Sequence, residues 1–175
     1  QFASDNNAGM CPAALDALVD ALEKTEIAGS TTNLAFLAAL ARDDGFASGD
    51  VDTGLIGRRQ DTLTALPQPS AATVAAATLA AAGAVDRHGD ADPWASLSGY
   101  AHFLPLRQTV ALSRGEEAVT AAFSARPDGR YDVTVGDTVV ALSPAASDRR
   151  LSRWPGHVTV FEGAVGHTFS TPDPL

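Results

Sequence analysis

From Pro69 to Gly83 the chain carries no charged residue, and residues 71–82 are eight alanines interrupted only by Thr73, Val74, Thr78 and Leu79. A helix of this composition has no polar face to turn towards water, so it calls for other structure on every side. Alanine also keeps it slim, so that neighbours can close around it. Pro67, Pro69 and Ser70 mark a linker and then the helix start, and Gly83 marks its end. A lightly packed linker helix is the competing reading.

From Arg107 the hydrophobic period changes to two. Thr109, Ala111 and Ser113 alternate with Val110, Leu112 and Arg114 up to Gly115. The pattern predicts a second strand over 117–125, turning at Pro127-Asp128-Gly129, then a hairpin of 130–135 and 138–142 around Gly136-Asp137. Tyr131, Val133 and Val135 share one face of it, with Asp132 and Thr134 on the other. A short strand over 149–153 and a last pair, 157–161 with 167–170 around residues 163–166, complete five to seven antiparallel strands. Closely spaced turns of this kind point to a small barrel or strongly curved sheet. The predicted class is α+β, a short helical N-terminal segment followed by a central helix wrapped by an antiparallel β-barrel. The order of the parts supplies the solution, because a sheet that curls around the alanine helix buries it.

Upstream, Pro12 suits the first turn of a helix, and Leu15, Leu18, Val19 and Leu22 have the spacing of one buried face, with Asp16 and Asp20 opposite. Thr32 or Asn33 can cap a second helix with Leu34, Leu37, Ala38 and Ala41 facing inward, ending at Asp43-Asp44-Gly45. Thr53 is placed to cap a further turn through Leu55 and Ile56.

With 175 residues the chain can bury a core as one domain or two small ones. Its net charge of −9 repels phosphate backbones and anionic bilayers, which argues against nucleic acid and membrane partners. No apolar run approaches the roughly 20 residues of a membrane span, and no signal peptide is visible. A single cysteine, Cys11, permits no internal disulfide and fits a reducing, cytoplasmic setting. The start at Gln1 fits a processed or excised product. Lys24 is the one lysine, against eleven arginines, and it follows Glu23 in a helical pattern. Biotinylation, Schiff-base chemistry and lysine-based phosphate binding would all fall on it, so lysine-dependent chemistry is improbable.

The stretch TEIAGSTTNLAFLAALARDDGFASGDVDTGLI, residues 25–56, resembles the C-terminal end of the biotin carboxylase domain in the biotin-bearing (alpha) subunit of acyl-CoA carboxylases. The 3-methylcrotonyl-CoA carboxylase type is the best fit. Asp92-Pro93-Trp94 with Gly99-Tyr100, the hairpins around Gly115 and Gly136, and the ending HVTVFEGAVGHTFSTPDPL resemble the subunit-docking (BT) domain that follows it in that family. Together these segments cover about two-thirds of the chain. Tyr100 and Ala101 depart from the tryptophan and arginine frequent in family members.

The resemblance implies three parts: an unassigned piece over 1–12, a helical carboxylase tail over 13–60, and a helix-in-barrel interaction domain over 65–175. It also implies that biotin and ATP belong to the parent ligase, whose catalytic machinery and biotinyl domain lie outside this chain. No catalytic, metal or cofactor residue is assigned here. The implied partner is the carboxyltransferase (beta) subunit. In the family a hook between helix and first strand reaches it; the matching segment is residues 86–100, with Asp92, Trp94, Leu97 and Tyr100 as contacts. Aromatic and aliphatic anchors in a polar frame have the composition of interface hot spots. Trp94 plugging one end of the barrel is the alternative.

The opening QFASDNNAGMCP instead resembles the N-terminus of threonine aldolase-like, pyridoxal phosphate-dependent lyases. Nothing after residue 22 continues that match, and the pyridoxal lysine has no counterpart. A small ligand-binding β-barrel with the alanine helix outside is a third reading. Among other constellations, His88-Gly89-Asp90-Ala91-Asp92 reads as a solvated turn before a metal loop. The run from Asp50 to Gly54 misplaces the glycine and lacks the closing glutamate of a calcium loop. His102, His157 and His167 read as strand or rim residues, and Ser96 and Ser98 stand in no nucleophile elbow. Arg149, Arg150 and Arg153 form a small basic cluster, suited to an acidic partner or to a solvated strand edge.

Overall fold

The computed structural model describes residues 9, 11–85, 106–143 and 150–171. The chain divides into two compact units, residues 1–68 with 162–166, and residues 69–161 with 167–175.

Apart from residues 162–166, which are a turn between two strands and the strand ends beside it, the first unit is helical. It contains α1 (Pro12–Lys24), α2 (Leu34–Ala41), α3 (Asp44–Ser48) and α4 (Leu55–Leu63). Pro12 opens α1 as its position predicts. Of the predicted apolar face, Leu15 is buried and Val19 and Leu22 are half-buried, but Leu18 is 40% exposed. A helix covered from one side buries a stripe narrower than its apolar sector. In α2, Ala38 and Ala41 are buried and Leu34 and Leu37 half-buried, in keeping with the predicted stripe. Asn33 holds its cap position without a side-chain bond.

The acidic pair after α2 does more than end it. Asp43 Oδ1 accepts from the N–H groups of Gly45 (2.9 Å) and Phe46 (3.3 Å) and so starts α3. Thr53 does not cap the next helix. Gly54 takes that position, and Asp52 accepts its N–H at 2.7 Å, because an aspartate reaches the N–H two residues on.

The second unit holds α5 (Ala71–Ala81) and seven strands: β1 (Arg107–Arg114), β2 (Glu117–Ala125), β3 (Tyr131–Val135), β4 (Thr138–Leu142), β5 (Leu151–Trp154), β6 (His157–Glu162) and β7 (Val165–Ser170). The Ser70 hydroxyl accepts the N–H of Thr73 at 3.2 Å, a helix cap, and contacts the Thr73 hydroxyl. At the other end Ala84 N–H bonds to Leu79 O and Gly83 N–H to Ala80 O. This is the Schellman pattern, and it needs the left-handed backbone of Gly83 (φ 70°).

Every residue of α5 from Thr73 to Ala80 is buried. Val74, Ala76, Ala77 and Ala80 cluster with Leu112, Val158, Val160 and Phe169. Ala75 and Leu79 cluster with Ala121, Phe123 and Val133. Different sides of one helix thus contribute to two apolar clusters, and Thr78 satisfies its hydroxyl by donating to Val74 O at 2.8 Å. The alanine segment is accordingly core, as its composition requires.

The sheet is antiparallel and curled, in the order β4-β3-β2-β1-β7-β6-β5. Strands β1 to β4 form a meander in continuous register. Between β1 and β7 the registered pair is Ser113 with Ser170. The predicted barrel is a half-barrel instead. Six successive reversals of direction across the seven strands leave the end strands β4 and β5 running the same way, so an antiparallel seam between them cannot form. The structure also tightens the last predicted turn to residues 163–164 and pairs β5 with β6 across Pro155-Gly156.

Ala77 is fully buried where α5 meets Leu112, Val160 and Phe169. Enlarging it to leucine should destabilise the protein by about 1–3 kcal/mol through overpacking, read as a lower urea midpoint with an unchanged m-value.

Candidate functional site

The four residues expected to meet a partner, Asp92, Trp94, Leu97 and Tyr100, lie outside the described residues, as do His88, Asp90, His102 and Arg149. What the structure describes is the chain on either side of their segment. On one side the Schellman turn at Gly83 leads to Val85, a half-buried residue packed against both apolar clusters. On the other, Leu106 precedes β1 and is 47% exposed.

Around the C-terminal end of α5 lies an open recess of about 350 Å³, lined in part by Ala80, Arg153, Trp154, His157 and Thr171. Its arrangement follows from the β5–β6 hairpin. Pro155 and Gly156 occupy the two-residue turn, which places Trp154 opposite His157. Their rings stack at 5.3 Å with an 8° angle between planes. His157 Nδ1 lies 3.0 Å from the carbonyl oxygen of Pro155, which can only accept, so Nδ1 carries the proton. Thr171 N–H donates to Gly156 O at 2.8 Å and ties the chain after β7 to the same turn.

Arg153 completes this end. Its Nη1 donates to the carbonyl oxygen of Ala80 at 3.1 Å. Carbonyls of a last helical turn lack intrahelical donors and carry the negative end of the helix dipole, so a guanidinium is well matched there. Arg150, its neighbour in the basic cluster, places its guanidinium over the Phe161 ring at 6.0 Å, and its carbonyl accepts the Phe161 N–H. These two arginines therefore serve the unit's own architecture. His167 is buried in β7, and His157 opens β6.

Several ion pairs of the helical unit lie at its surface. Lys24 pairs with Asp20 at 2.8 Å across one helical turn, and Arg42 pairs with Glu23. Arg58 bonds Asp52 at 3.0 Å. Among the described residues no three His, Cys, Asp or Glu side chains group as metal ligands. No described helix is long and apolar enough to cross a membrane. Cys11 is exposed at the cap position of α1.

The role of Arg153 escaped the sequence reading because its partner, Ala80, is remote in the chain. The Trp154–His157 stack had a local signal, the Pro-Gly turn between them. No protein-family model matches this chain.

The bond from Arg58, with that from the Gly54 N–H, holds the Asp52 carboxyl below the ordinary aspartate range. A lowered folded-state value means that this contribution is present above the unfolded value of about 3.9 and is lost as pH falls through the folded value. In Arg58→Gln the Asp52 carboxyl should titrate at higher pH than in the parent protein, as followed by carbon NMR.

Proposed function

We propose that the chain is a non-catalytic subunit-docking fragment of a biotin-dependent acyl-CoA carboxylase of the 3-methylcrotonyl-CoA carboxylase type. The observation that carries this reading is the complete burial of α5 from Thr73 to Ala80 among residues of β1, β2, β3, β6 and β7. A slim helix enfolded by a curled antiparallel sheet is the architecture implied for the docking domain. The resemblance of residues 25–56 to the carboxylase tail supplies the second support.

In this reading the helical unit is the end of the biotin carboxylase domain, and the α5 unit is the adaptor behind it. The parent enzyme uses ATP and bicarbonate to carboxylate biotin and passes the carboxyl group to an acyl-CoA on the carboxyltransferase subunit. The adaptor's work is mechanical. A filled core gives it a rigid body, and the Schellman turn and β1 fix the two ends of the segment bearing Asp92, Trp94, Leu97 and Tyr100. Trp94 is the central anchor of that segment for the carboxyltransferase subunit.

A ligand-binding barrel needs an interior free for its ligand, and the burial of Thr73 to Ala80 against apolar strand residues supports the docking reading over it. The lyase reading rests on the first residues alone, and Lys24 stands in a surface ion pair with Asp20.

Binding to a purified 3-methylcrotonyl-CoA carboxylase carboxyltransferase subunit, measured by calorimetry, tests the proposal. The expected result is association at micromolar strength or tighter. Trp94→Ala should weaken it at least tenfold and leave the melting temperature unchanged. No association, or a Trp94→Ala variant that melts earlier while binding undiminished, would overturn the docking role of Trp94.

A further inference from the structure

We draw no further inference here: the strongest candidate, the open recess at the C-terminal end of α5 lined in part by Arg153 and the stacked rings of Trp154 and His157, carries nothing, because Arg153 already serves the Ala80 carbonyl and nothing among the described residues shows what covers the recess.

Discussion

The apolar surface of α5 is what the second unit is organised to hide. Eight consecutive residues, Thr73 to Ala80, are withdrawn from water, and two clusters of strand residues meet them on different sides. Burial of this kind is non-directional and scales with area, so the helix exerts the same demand on every neighbour. The sheet answers with large side chains, Phe169, Phe123, Leu112 and Val133, set against alanines. Large against small is how facing layers interdigitate without voids. The few polar groups brought along are accommodated locally, as when Thr78 turns its hydroxyl back to Val74 O.

The ends of α5 needed separate solutions, since burial does nothing for unpaired backbone groups. Ser70 answers at the start, and Gly83 with Arg153 at the finish. These contacts set where the chain enters and leaves the core, and hence the frame of the segment that leads to β1. The proposed docking role draws on this fixity, since an anchor such as Trp94 gains affinity when the body that presents it is already ordered.

Much of this was legible in the chain. The alanine run announced its own burial, Ser70 and Gly83 its limits, and period-two alternation with glycine turns the β1–β4 meander. These signals are local, and each is written in adjacent residues. The misses are instructive for the same reason. Leu18 has helical spacing with Leu15 but lies beyond the covered stripe, and that depends on which neighbours arrive. Thr53 lost the cap position to Gly54, whose N–H is held by Asp52 in a turn one residue before the helix. Closure of the barrel was misjudged because it depends on the parity of the strand count, a property of the whole sheet. Of the candidate site, the sequence supplied Asp92, Trp94, Leu97 and Tyr100, all outside the described residues. The recess at the C-terminal end of α5 was hidden because Ala80 and Arg153 meet only in space.

The registers also dictate an order of assembly. Strands β1 to β4 are each joined to the next by a short turn, so their pairing closes small loops and loses little chain entropy. Ser113 and Ser170, by contrast, find each other only after most of the second unit has been traversed. Contacts of such separation are the slow ones in folding. The join between β1 and β7 is thus the long-range closure of the unit, while β5, β6 and β7 follow one another through turns as short as those of the meander. During synthesis the same order leaves α5 half clothed until the final strands leave the ribosome.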